Sequence, residues 1–277
     1  MFENIIGHKN QLSKLEEMVK NNTLVNSYLF LGKQGIGKKL VAIDFAKYIL
    51  NVDNLNGSMD YKYIEKQEGK KDITVDQVRK MIVDDVYIKP SIGNKKVYII
   101  NDAQNLNEEA QNTLLKTLEE PPYYVIIILI ASNIKSFLPT VLSRLYMFNF
   151  MPLNNNEMLN YAKQKYYQII DSDILEFVDG SIGKLEQIYG DSENETFNNI
   201  KKIFSLLEKK DTINSLLNIV NIDFKQDNYL DYLEYLMYKN KKYNCVDIIE
   251  NSKKRLKNNG NYDIVINTMV LKIIDVI

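Results

Sequence analysis

The stretch Ser27-Tyr28-Leu29-Phe30-Leu31-Gly32-Lys33-Gln34-Gly35-Ile36-Gly37-Lys38-Lys39 decides how the first half of the chain is read. Ser27–Leu31 is a short apolar run and predicts a strand. The turn that follows fits G-x-x-x-x-G-K, and a helix is predicted to begin behind it. Strand, glycine-rich turn and helix in that order give phosphate-loop geometry. The glycines at 32, 35 and 37 let backbone N–H groups curl around an anion, and the helix N-terminus adds favourable dipole charge. Lys38 is placed to reach the β- and γ-phosphates of a nucleotide. The plainer alternative is a glycine-rich turn that binds nothing.

Working outward, Val97–Ile100, Tyr124–Ala131 and Tyr146–Phe150 also read as strands, with a further short one at Tyr61–Glu65 inside the polar connection 51–72. The runs at Val97–Ile100 and Val125–Ala131 are continuously apolar rather than alternating, which marks strands covered on both faces of a parallel α/β sheet. Helical spacing links Leu12, Leu15 and Val19, and again Ala110, Leu114 and Leu118 behind Asn107 as N-cap, ending at Pro121-Pro122. Thr74 is the predicted N-cap of another helix, carrying Val78 and Ile82. Strands alternating with helices imply βαβ units with right-handed crossovers.

The strand signal stops after Phe150, and Met151-Pro152 with Asn154–Asn156 marks a boundary. Beyond it the apolar residues keep helical spacing: Met158, Tyr161 and Ala162; Phe197, Ile200, Phe204 and Leu207; Leu230, Leu233 and Met237; Val265, Met269, Ile273 and Val276. The expected organisation is an α/β phosphate-loop domain over 1–151, a small helical lid over 152–194 and an all-α domain over 195–277.

Composition narrows the function. The 277 residues carry a net charge of -1, so a long DNA footprint held by this chain alone is not expected, and any nucleic-acid contact is local or shared with partners. The lysine-rich stretches near 201–210, 239–242 and 253–257 read as solvated helix faces. One cysteine, Cys245, and one histidine, His8, are too few for a disulfide or a Cys/His zinc site. The longest apolar run, Val125–Ala131, is too short to span a bilayer, and a cytoplasmic location is expected.

The chemistry of the phosphate loop is incomplete. The position after Lys38 calls for a Ser or Thr hydroxyl to hold Mg²⁺, and it is Lys39, whose ammonium would repel the metal. At the end of the Val97–Ile100 strand, Asp for the metal and Glu for the attacking water are the usual pair. Here the residues are Asn101 and Asp102. Phosphoryl transfer depends on positioning and charge neutralisation, so losses on two sides of one ion argue against hydrolysis. One alternative stays open: a strand one residue longer would bring Asp102 to the metal position.

The order phosphate loop, Val97–Asp102, Asn112-Thr113-Leu114-Leu115-Lys116-Thr117-Leu118-Glu119-Glu120-Pro121-Pro122, then Leu138-Pro139-Thr140-Val141-Leu142-Ser143-Arg144, resembles the bacterial clamp-loader AAA+ subunits over residues 1–150. The resemblance implies an AAA+ domain, a lid and a C-terminal collar. Its departures look like the delta-prime branch rather than the motor branch. Where the family's lid carries an arginine in a G-S-x-R pattern, this chain reads Gly180-Ser181-Ile182-Gly183, and the family's four-cysteine zinc module is missing, so no zinc is expected. Ser143-Arg144 matches the pair that places an arginine finger in the ATP site of an adjacent subunit, with Leu145 where Cys is common.

The resemblance therefore implies a non-hydrolysing subunit of DNA polymerase III. It would assemble with motor (gamma/tau) and delta subunits and act with a sliding clamp and primed DNA. No cofactor is required, and at most weak ATP or ADP binding is expected at Gly32, Gly35, Gly37, Lys38, Lys39, Asn101 and Asp102. Ile5, Ile6 and His8 fall where the family places adenine, and Ser132 near its sensor position. Two enzyme readings compete: a working gamma/tau-like ATPase, and a phosphate-loop kinase for a nucleoside monophosphate, in which the Leu-Glu-Glu-Pro-Pro and Ser-Arg signatures would have no purpose.

Overall fold

Five parallel strands form the sheet of the first unit in the order β2-β3-β4-β1-β5 in a computed structural model that describes residues 1–277 except 168–169, 191–193, 220–221, 223 and 225–226. The strands are β1 Ser27–Leu31, β2 Tyr61–Ile64, β3 Lys96–Ile100, β4 Val125–Ala131 and β5 Tyr146–Asn149. Their register pairs Leu29 with Leu129 and Met147, and Ile99 with Ile128. Every residue of β3 and β4 is buried. Alternate residues serve opposite cores: Tyr98, Ile100, Ile127 and Leu129 face one cluster, while Val97, Ile99, Ile126 and Ile128 face the other. That is the physical cause of the unbroken apolar runs, since neither face meets water. Each such side chain contributes about 1.5–3 kcal/mol by burial.

Helix α1 Lys9–Lys20 precedes the first strand, and the helices between the strands are α2 Lys38–Leu50, α3 Val75–Val78, α4 Glu108–Glu119 and the single turn α5 Pro139–Leu142. The Asn107 side chain accepts from Ala110 N and starts α4 as predicted. Thr74 caps α3 in a reciprocal box with Gln77. The helix there differs from expectation: α3 runs straight into a π turn over Arg79–Val83, and the wider turn still buries Val78, Ile82 and Val86 in one core. The polar connection 51–72 holds one buried acid: the Asp60 carboxylate accepts from Ser91 N at 2.7 Å and Ile92 N at 3.0 Å. At the π turn's exit, Asp85 accepts from Tyr98 at 2.7 Å and pairs with the buried Lys96 at 3.0 Å.

Further along come α6 Asn155–Tyr166, α7 Ser172–Val178, α8 Ile182–Gly190, α9 Asn194–Glu208, α10 Thr212–Ile219, α11 Asp227–Lys239, α12 Tyr243–Lys257 and α13 Tyr262–Val276. The chain divides into two compact units, Met1–Ile169 with Asp179–Gly183, and Ile170–Val178 with Lys184–Ile277. The segment 152–194, read from sequence as a lid, is shared between the two units. Its residues 168–169 and 191–193 lie outside the described residues.

In the second unit the lysine stretches are ion-paired at several points. Lys201 meets Asp171 and Asp173, Lys239 meets Asp173 and Glu176, and Lys253 meets Asp231 and Glu234. Aromatic rings fill its core around Phe177, Phe197 and Tyr232. Among the described residues no helix is long and apolar enough to cross a membrane.

Candidate functional site

The phosphate loop sits where the sequence places it, between β1 and α2, at the carboxyl end of the sheet. Gly35 and Gly37 hold φ of 76° and 99°, the left-handed region that only glycine enters freely. What the loop grips, however, is the chain itself. Lys38 is buried, and its ammonium donates to the carbonyls of Gly32 at 2.6 Å and Lys33 at 2.5 Å. Burial pushes this lysine down to about 8, against the pull of the Asp102 carboxylate. His8 Nε2 donates to the Ile36 carbonyl at 2.7 Å, which requires the proton on that nitrogen. Its ring stands edge-on to Phe150. Burial holds the His8 imidazole below its ordinary range despite that hydrogen bond.

The loop is closed from above by residues 179–183. Lys33 forms an ion pair with Asp179. Gly183 N, one of the N-terminal donors of α8 that a helix leaves unsatisfied, donates to the Gly35 carbonyl at 2.8 Å. The two backbones touch: a methyl group built on Gly183 would lie 3.0 Å from Gly35 Cα and 3.4 Å from its oxygen. On its other side this segment is tied down by Leu153 N, which donates to the Gly180 carbonyl at 3.1 Å. The stretch Gly180–Gly183, which in sequence reads as a missing arginine, is in space a backbone contact. Only the absence of a side chain at 183 hinted at it.

Lys39 is exposed and stands over the Tyr63 ring, 4.8 Å from its centre. β3 ends at Ile100, and the ladder to β2 continues only through Asn101 N, which donates to Ile64 O at 2.8 Å. Asp102 turns off with φ 49° into a 3-10 turn. Its carboxylate accepts from the Asn101 amide at 3.0 Å and the Gln104 amide at 3.1 Å. Gln104 Oε1 in turn accepts from Ser132 N at 3.1 Å, joining the ends of β3 and β4. Sequence reasoning missed Gln104, because an amide in a polar turn carries no signal of its own. Closed in this way, the loop turns its lysine and its carbonyls to the chain's own groups. The residue at the hydroxyl's sequence position is Lys39, its ammonium turned to the Tyr63 ring, and the carbonyls of Gly32, Lys33, Gly35 and Ile36 are all held by the chain's own donors.

Arg144 lies away from this loop, two residues beyond α5. Its Nη2 meets Glu119 at 2.7 Å, and its Nη1 donates to Thr140 O at 2.6 Å and Ser143 Oγ at 3.0 Å. The Arg144 side chain is 32% exposed. Both helices behind it are set by Gln111, a buried residue of α4. Its amide donates to Leu106 O at 3.1 Å and Ser136 O at 2.8 Å, and its oxygen accepts from Leu138 N at 2.8 Å, just before α5 begins.

Comparison with known proteins follows the same outline. Residues 7–154 match the family described as DNA polymerase III, delta subunit. Among curated relatives, DNA polymerase III subunit tau/gamma of Haemophilus influenzae is 27% identical over 240 residues, 82% of this chain and 34% of that protein. Subunit gamma/tau of Mycoplasma genitalium is 28% identical over 256 residues, 81% of this chain and 42% of its own length. The chain thus spans well under half of these relatives. A DNA polymerase III, gamma subunit-related protein from Thermotoga maritima shares the fold with TM-score 0.61 at 17% identity, covering 96% of this chain and 99% of that one.

Proposed function

This chain belongs to the DNA polymerase III, delta subunit family, the clamp-loader AAA+ family its signatures resemble, and we propose that within it the chain takes the delta-prime role. In that role it hydrolyses no ATP of its own and lends Arg144 to the ATP site of an adjacent gamma or tau subunit. Its other partners would be a delta subunit, the sliding clamp and primed DNA, in the cytoplasm.

Lys39 carries this reading. A side chain that cannot ligate a metal occupies the one position where the loop would have to hold it. Asn101 adds a neutral group where a carboxylate is needed. Arg144 supports the other half: a guanidinium at the surface end of a short helix, held by exposed or half-exposed partners, is free to exchange them for a phosphoryl group across a subunit boundary. A guanidinium supplied in trans neutralises charge on the transferring group and is worth roughly 10³–10⁵ in rate in phosphoryl-transfer systems.

The rival is a motor ATPase, favoured by the gamma and tau names of the curated relatives. The test is ATP turnover by the purified chain with Mg²⁺, with Lys38→Ala as control. Turnover that the Lys38→Ala change abolishes would overturn the delta-prime reading. No turnover alone, with stimulation of a gamma or tau partner that needs Arg144, supports it.

A further inference from the structure

We propose that residues 179–183 are an internal plug that holds the phosphate loop shut against the polyphosphate of a nucleoside triphosphate, and that Gly183 is the residue that makes the closure possible. The inference rests on the reading of this chain as a subunit without turnover. It concerns binding rather than hydrolysis, so the two are tested by different readouts.

A phosphate loop works by turning its N–H groups inward around an anion while Lys and the following helix supply charge. Here the loop's charge is already committed. The Lys38 ammonium has folded back on Gly32 O and Lys33 O. To meet a phosphate it would have to leave both, and the peptide groups around Gly35 would have to swing. Gly183 N fixes the Gly35 carbonyl from one side and His8 fixes the Ile36 carbonyl from another. The plug is anchored at its start by Leu153 N on Gly180 O and by the Lys33–Asp179 ion pair, and at its end by Gly183 N on Gly35 O.

The close approach is what points to Gly183. At 3.0 Å from Gly35 Cα, a methyl group on residue 183 would press on backbone, which cannot rotate away as a flexible side chain does. Gly35 is held in place by the same contact, because its carbonyl is the acceptor of Gly183 N at 2.8 Å. A larger residue at 183, including the arginine expected from the resemblance, therefore works to push this contact apart. Loss of that arginine and closure of the loop are one change, not two.

The experiment is calorimetric titration of the full chain with ATP, once with Mg²⁺ and once with EDTA, beside hydrogen–deuterium exchange of peptides covering 32–38 and 179–183. Wild type should bind ATP no better than millimolar, with the 179–183 amides protected. Gly183→Ala should raise their exchange while β3 and β4 stay protected, and should tighten ATP binding by roughly tenfold or more. Because Lys39 repels the metal, the gain should be as large in EDTA as in Mg²⁺. Should Gly183→Ala lose protection in β3 and β4, Asp179→Asn takes its place. It removes only the surface ion pair, and about a threefold gain is expected. Wild type binding ATP tightly with the plug still protected would overturn the proposal. So would a variant whose plug opens without any gain in affinity.

Discussion

Nη2 of Arg144 and Oε1 of Glu119 stand 2.7 Å apart, and the pair joins the end of α5 to the last residue of α4. Both residues belong to signatures recognised in the sequence, Leu-Glu-Glu-Pro-Pro and Ser-Arg, and the structure makes the two signatures one contact. Glu119 is about half exposed, so the pair is a surface one. Such pairs contribute about 0–1 kcal/mol to stability, which leaves the arginine inexpensive to release.

Arg144→Ala should therefore leave folding nearly untouched, with a melting temperature within about 3 °C of wild type. In a reconstituted loader the same change should lower clamp-stimulated ATP turnover at the neighbour's site by roughly 10³ or more. Steady-state ATPase of the assembly, with gel filtration to confirm that the assembly forms, checks both. Unchanged turnover would remove the finger role.

Gln111→Ala should do the opposite, costing stability first. It strips three backbone groups, the buried Leu106 O and the part-buried Ser136 O and Leu138 N, of their partner and leaves a cavity. A loss of about 2–4 kcal/mol in urea denaturation is expected. A loss below about 0.5 kcal/mol would mean that water replaces the amide freely.

The Asp85 network gives a pH signature. Burial alone would raise the Asp85 carboxyl, but the Tyr98 hydroxyl and the Lys96 ammonium outweigh it and hold it below its usual range. A carboxylate held low in the fold contributes stability that is whole above the unfolded pKa, about 3.9, and disappears as pH falls through the folded one. Asp85→Asn should cost about 3 kcal/mol at pH 7, because Lys96 is left buried without its counter-charge. The gap between wild type and variant should narrow as pH is taken from 5 to 3. A gap constant over that range would show that the carboxylate's charge is not what matters.

Lys38 has the reverse sign. Burial pushes it down to about 8, so between there and the unfolded value near 10.4 the unfolded chain binds the proton and the fold does not. Stability linked to this group therefore rises with pH across that window. Melting temperatures of wild type and Lys38→Met between pH 7.5 and 10 should drift apart in favour of wild type. Parallel curves would place the ammonium in water.

How much of this was legible in the sequence follows from what each feature is made of. The sheet could be read because β3 and β4 are buried on both faces, and double burial writes itself as unbroken apolar runs. Helix starts at Asn107 and Thr74 could be read because a cap is a local hydrogen bond. The closed loop could not. The contacts that close it from outside the loop join residues as far apart as Gly35 and Gly183, and that contact and the one between Leu153 and Gly180 are backbone to backbone, which leaves no residue type behind to recognise. Glu119 lay inside a recognised signature and Gln111 just ahead of it, yet their partners depend on how α4 and α5 meet. The π turn after α3 was missed because a helical pattern of apolar residues tolerates one wide turn.

The junction of Gly35 and Gly183 has one more consequence. Most interfaces inside proteins adjust gradually, since side chains can change rotamer and share a disturbance among several small shifts. Two bare alpha carbons have nothing to rotate, so a side chain added at 183 is taken up by movement of backbone. Sequence change at 183 therefore reaches the loop through the main chain, with no side chain in between to absorb it.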